Sequence, residues 1–65
     1  MASDIDIYRS AKLLIDQHGD HADLEAMTKT NAMLDAGDIE GRRVWMRILD
    51  AIRELQSAKP GGRVH

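Results

Sequence analysis

The chain reads as a small all-α domain of three helices, approximately 4–18, 21–36 and 39–57. Three observations lead there. Two Gly-Asp steps, Gly19-Asp20 and Gly37-Asp38, each suit the junction between one helix and the next. Glycine accepts the backbone conformation just past a helix C-terminus that a Cβ would penalise, and aspartate then offers an oxygen to the unpaired N–H groups of the following turn. Within the segments so divided, apolar residues recur at three- and four-residue spacing, the period of one helix face. Finally, Lys59-Pro60-Gly61-Gly62 stops the last segment, so a single domain over 1–57 and a flexible tail over 58–65 are expected.

The first helix opens at Ser3 or Asp4. Ser3 and Asp6 have capping-box spacing, with aspartate in place of the commoner glutamate. Ile7, Ala11, Leu14, Ile15 and His18 follow on one face, with Tyr8 at its border. Gly19 ends the segment, and Asp20 is expected to cap the next.

The second helix is the least hydrophobic of the three. Ala22, Ala26, Met27, Met33 and Leu34 are its expected core residues, with Leu24 at the edge. Alanines let a neighbouring helix approach closely, and methionine fills irregular gaps. Thr28, Thr30 and Asn31 lower helix propensity, so the element depends on tertiary contacts.

The third helix has the clearest stripe: Val44, Trp45, Ile48, Leu49, Ile52 and Leu55. Trp45, the single tryptophan in a chain without phenylalanine, is expected to be the largest core side chain, against Leu14, Ile15 and Met27 or Met33. Gly41, unfavourable in a helix by about 1 kcal/mol relative to alanine, suggests a close helix crossing beside Trp45. Short connections favour sequential antiparallel packing, with an orthogonal arrangement as the alternative.

Composition narrows the function classes. A chain of 65 residues is near the lower limit for independent folding, and without cysteine it has neither a disulfide framework nor a thiolate metal site. That fits a cytoplasmic protein. The longest apolar run is Leu13-Leu14-Ile15, so no membrane span is expected, and the first residues lack the basic start and apolar core of a signal peptide. Charge is uneven: residues 1–38 carry eight acids and three bases, residues 39–65 three acids and six bases. Around Arg42, Arg43, Arg47 and Arg53 this reads first as a helix face whose arginines pair with Asp38, Glu40 and Asp50.

No catalytic residue and no cofactor are expected. Ser3, Ser10 and Ser57 lie at or within helices with no glycine-rich elbow to present them, and carboxylate pairs near helix starts have capping as their ordinary role. His18, Asp20 and His21 form the one cluster resembling a metal site, but they straddle a helix break; a histidine at the C-terminus of a helix and an aspartate at the start of the next account for them equally.

The run His18-Gly19-Asp20, Ala22 and Ala26, the step Ala36-Gly37-Asp38, Gly41 followed by Trp45, and the ending Ile48-Leu49-Asp50-Ala51-Ile52-x-x-Leu55 together resemble a family of small bacterial helical proteins, a domain-of-unknown-function group. The resemblance spans roughly residues 7–56. It implies a compact helical bacterial protein and carries no activity or site residue with it.

The expected function is a non-enzymatic helical module for protein interaction or regulation, a homodimer among its expected forms. Leu13, Leu24 and Met46, with Ile5, fall outside the inward faces and are candidates for an apolar contact surface, with Arg43 and Arg47 setting orientation. The alternative is a small nucleic-acid-associated regulator using the start of the third helix, disfavoured by the net charge of −2. A metal-binding protein acting through His18 and His21 stands third.

Overall fold

The computed structural model describes residues 3–57. They form α1 (Asp4–His18), a 3-10 turn (Gly19–His21), α2 (Ala22–Asp35) and α3 (Ile39–Ser57), a small all-α domain. The tail expected over 58–65 lies outside the described residues. No described helix is long and apolar enough to cross a membrane.

Local chemistry sets most of the boundaries. Ser3 is extended, and its Oγ accepts the Asp6 N–H at 3.3 Å, while Asp4 and Asp6 place negative charge at the positive end of α1. At the other end Gly19 adopts φ 58°, ψ −127°, outside the reach of an L side chain, and its N–H bonds Ile15 O.

Asp20 does not cap α2, contrary to expectation. The chain instead tightens into one 3-10 turn, the cap position falls on His21, and no side chain bonds the helix start there. Asp20 comes a turn too early. Asp23 supplies a carboxylate one turn later, accepting from Leu24 N at 2.8 Å. The second junction follows the sequence closely. Asp38 N donates to Met33 O at 2.8 Å and Gly37 N to Leu34 O at 3.0 Å, a Schellman closure with Gly37 at φ 74°. Asp38 then caps α3 by accepting from Gly41 N at 2.9 Å. One aspartate thus closes α2 through its backbone and opens α3 through its side chain.

α3 is the central element and packs against both other helices. Contacts pairing Asp4 with Arg47, Tyr8 with Glu54 and Gly19 with Gln56 show that α1 and α3 run in the same sense, with α2 returning between them in the chain. The buried core is Ile7 and Ala11 of α1, Ala22 and Ala26 of α2, and Ile48, Ala51 and Ile52 of α3; Leu14, Ile15, Val44, Trp45 and Leu49 pack around it.

Three core expectations are corrected. Trp45 is only half-buried, at the edge of the core, and Ile52 is the largest fully buried side chain. Alanines at 11, 22, 26 and 51 bring the helices together too closely to house an indole at the centre. On α2, the expected core residues Met27 and Leu34 are exposed, and Met33 is half-buried. The inward face is instead Ala22, Ala26 and Thr30, whose buried hydroxyl is satisfied by donating to Ala26 O at 2.8 Å. Leu55, expected on the inward stripe of α3, is 39% exposed at its end.

Gly41 is explained differently from the expected crossing beside Trp45. A Cβ there would lie 2.6 Å from Asp38 Oδ2 and 2.8 Å from Met33 Sδ. The missing side chain makes room for the cap and for the end of α2.

Candidate functional site

The amphipathic logic of α2 is inverted with respect to size. Its small residues face the core, and its large apolar residues face outward: Leu24 is 56% exposed, Met27 37% and Leu34 57%. With exposed Asn31 they sit at positions 24, 27, 31 and 34, a three-four-three spacing that keeps all four on one side of the helix. Leu24 was legible in the sequence as a contact candidate. Met27 and Leu34 are not, because large apolar residues at helical spacing fit an inward stripe equally well.

The other candidates lie on separate elements. Leu13 is exposed on α1, and Met46 is exposed on α3, where it shares a face with Ile39 one heptad earlier. Arg43 is exposed beside them. Arg47 is exposed, and its guanidinium pairs with Asp4 of α1, so it links two helices at the surface. Leu13, Leu24, Met46 and Arg43 are thus distributed over three helices, and only Leu24 has a row of exposed apolar neighbours along its own element.

Between α1 and α3 runs an open cleft of about 270 Å³, lined by Asp4, Ile7, Tyr8, Arg47, Asp50 and Glu54. Four of its polar groups engage one another in two pairs. Asp4 takes Arg47, and Tyr8 Oη donates to Glu54 Oε1 at 2.5 Å, the short geometry of a hydroxyl on a carboxylate. That bond, reinforced by desolvation and by the charges of Glu54 and Asp4, raises the Tyr8 phenol above its usual range. A phenol held more firmly protonated is a poorer base at neutral pH. The arrangement ties α1 to α3.

His18 is half-buried in the last turn of α1, while Asp20 and His21 are exposed in the 3-10 turn. Among the described residues, no group of three histidine, aspartate or glutamate side chains is placed to hold a metal ion. Ser3 is committed to its cap, and Ser57 Oγ donates to Glu54 O at 3.2 Å.

Comparison with protein-family models, with curated proteins and with solved structures finds no match.

Proposed function

We propose that this chain is a non-enzymatic, cytoplasmic helical module that works by binding protein, either a different chain or a copy of itself. The observation that carries the reading is the distribution of apolar bulk. Among the described residues the buried hydrophobic core holds three isoleucines and four alanines, whereas Ile5, Leu13, Leu24, Leu34, Ile39 and Met46 are each more than 40% exposed. Single exposed apolar side chains are ordinary, but a row of them along one helix is a surface that association would cover. A core this small also leaves a marginal fold that gains stability from a partner bound to the native state. The α1–α3 cleft supplies less support for a competing reading, since Arg47 is paired with Asp4 and the Tyr8 phenol with Glu54.

Native mass measurement on untagged protein from its own source tests the proposal. Added mass equal to a second copy or to another polypeptide supports it. A bare monomer whose melting temperature is independent of protein concentration, and which retains no protein on affinity capture, overturns it.

A further inference from the structure

The association reading leaves the partner open; resting on that reading, the charge around the outer face of α2 selects its chemistry. Leu24, Met27 and Leu34 form the exposed apolar row, with Asn31 between them. Residues 20–38, which are α2 with its two junctions, carry five acids, Asp20, Asp23, Glu25, Asp35 and Asp38, against one base, Lys29. That excess is larger than the net −2 of the whole chain, so the acidity is concentrated here. Placement matters more than number. Within α2, Asp23 is four residues before Met27 and Asp35 four residues after Asn31, the spacing at which helical side chains are neighbours. Asp20 precedes the row and Asp38 follows it, both exposed. Lys29 is two residues from both Met27 and Asn31, a spacing that turns it away from them, and Glu25 stands four residues before it. The row is thus bordered by aspartates along its length and at both ends, and by no lysine or arginine of its own helix.

We propose that the outer face of α2 takes an amphipathic helix of a different protein, one with lysine or arginine along the flanks of its apolar stripe. A second copy of this chain is a poor fit, because two such faces laid together bring aspartates against aspartates, and like charges in an interface are unfavourable. Nucleic acid and anionic lipid are repelled by the same charge. The partner is a helix because α2 offers side chains and no free sheet edge. Its backbone bonds are satisfied within the helix, so an extended strand gains no main-chain bonds there, whereas side-chain ridges of a second helix pack along the row. Basic flanks then meet Asp23 and Asp35, which steer the approach and fix which way the apolar stripe turns. α2 spans 14 residues, so a partner of about four turns covers the row.

The probes are a pair of fluorescein-labelled synthetic peptides of about four helical turns, with leucine at heptad a and d positions. One is flanked by lysines and the other by glutamates, and each is titrated with the full chain while anisotropy is followed. The lysine-flanked peptide is expected to bind about tenfold more tightly than the other at low salt, and the gap to close as salt screens the flanks. Asp35→Lys should weaken the lysine-flanked peptide by about threefold or more, while Asp16→Lys, the same change at an exposed site on α1, leaves its binding unchanged. Leu34→Ala, at a position 57% exposed and so dispensable to the fold, should weaken it by about fivefold. Equal binding of the two peptides, equal losses at positions 16 and 35, or no binding of the lysine-flanked peptide overturns the basic-helix partner. So does a dimer of the chain alone that dissociates in Leu34→Ala, because a second copy then covers the face. The association reading survives each of these results, and falls only on the bare monomer and empty affinity capture that test it.

Discussion

Tyr8 of α1 and Glu54 of α3 are joined by a 2.5 Å hydrogen bond across the interface that holds the first and last helices together. The phenol donates to a carboxylate, so the bond exists only while Tyr8 is protonated. The bond to Glu54 comes first among the causes that raise the phenol, ahead of desolvation and of the nearby carboxylate charges. A folded-state value above the unfolded one means that the stabilisation is fully present below the unfolded phenol value of about 10 and is lost as pH climbs through the folded value. Tyr8 is the single tyrosine, so ultraviolet titration reports it alone. The expected midpoint lies above that of the denatured chain and falls back toward it in Glu54→Gln. Coincident folded and denatured midpoints would contradict the bond.

Gly41 and Asp38 form a coupled pair at the α2–α3 corner. Gly41→Ala alone adds about 1 kcal/mol of helix propensity but drives a Cβ into the capping carboxylate, and a lost cap costs about 0.5–2 kcal/mol. In an Asp38→Ala background the carboxylate is gone and only the flexible Met33 side chain must move aside, so the same substitution should stabilise by up to about 1 kcal/mol. A double-mutant cycle by denaturant melting measures the difference. Equal effects in the two backgrounds would show that the carboxylate does not need the space.

Gly19 presents the opposite case. Nothing lies within 4 Å of a Cβ built there, so neighbours raise no objection; the backbone does, at φ 58°. Gly19→Ala should therefore destabilise by about 1–3 kcal/mol with no change in packing. Chemical denaturation together with unchanged Trp45 fluorescence would identify the penalty as one of backbone conformation.

Orientation of α2 is testable by contrasting Ile52 with Leu34. Ile52→Ala opens a cavity at a fully buried position and should cost about 2–5 kcal/mol, a large share of the total stability of a domain this size. Leu34→Ala, measured at protein concentrations low enough to keep the chain monomeric, should stay within about 0.5 kcal/mol of the parent. Similar losses at both positions would return Leu34 to the core. Trp45→Ala should fall toward the lower end of the roughly 3–5 kcal/mol for a buried aromatic, because the indole is half-buried.

Helix count, both ends of α1, the close of α2 and the start of α3 were legible from residues adjacent in the chain. Ser3 reaches Asp6, Gly19 turns back on Ile15, and Asp38 bonds Met33 and Gly41. Such contacts span three to five positions, so the local order of residues contains both partners. Within the candidate surface, Leu13, Leu24 and Met46 were legible as apolar residues that fit no inward stripe. Which face of α2 turns inward was not. That helix carries two apolar stripes, one of alanines and one of leucine and methionine, and each has helical period. Hydrophobicity by itself favours burying the larger one. Tertiary structure decided for the smaller, because alanines let α2 close on α3 and complete the packing around Ile48 and Ile52. The same close approach left no central space for Trp45 and turned Leu24, Met27 and Leu34 toward the surroundings.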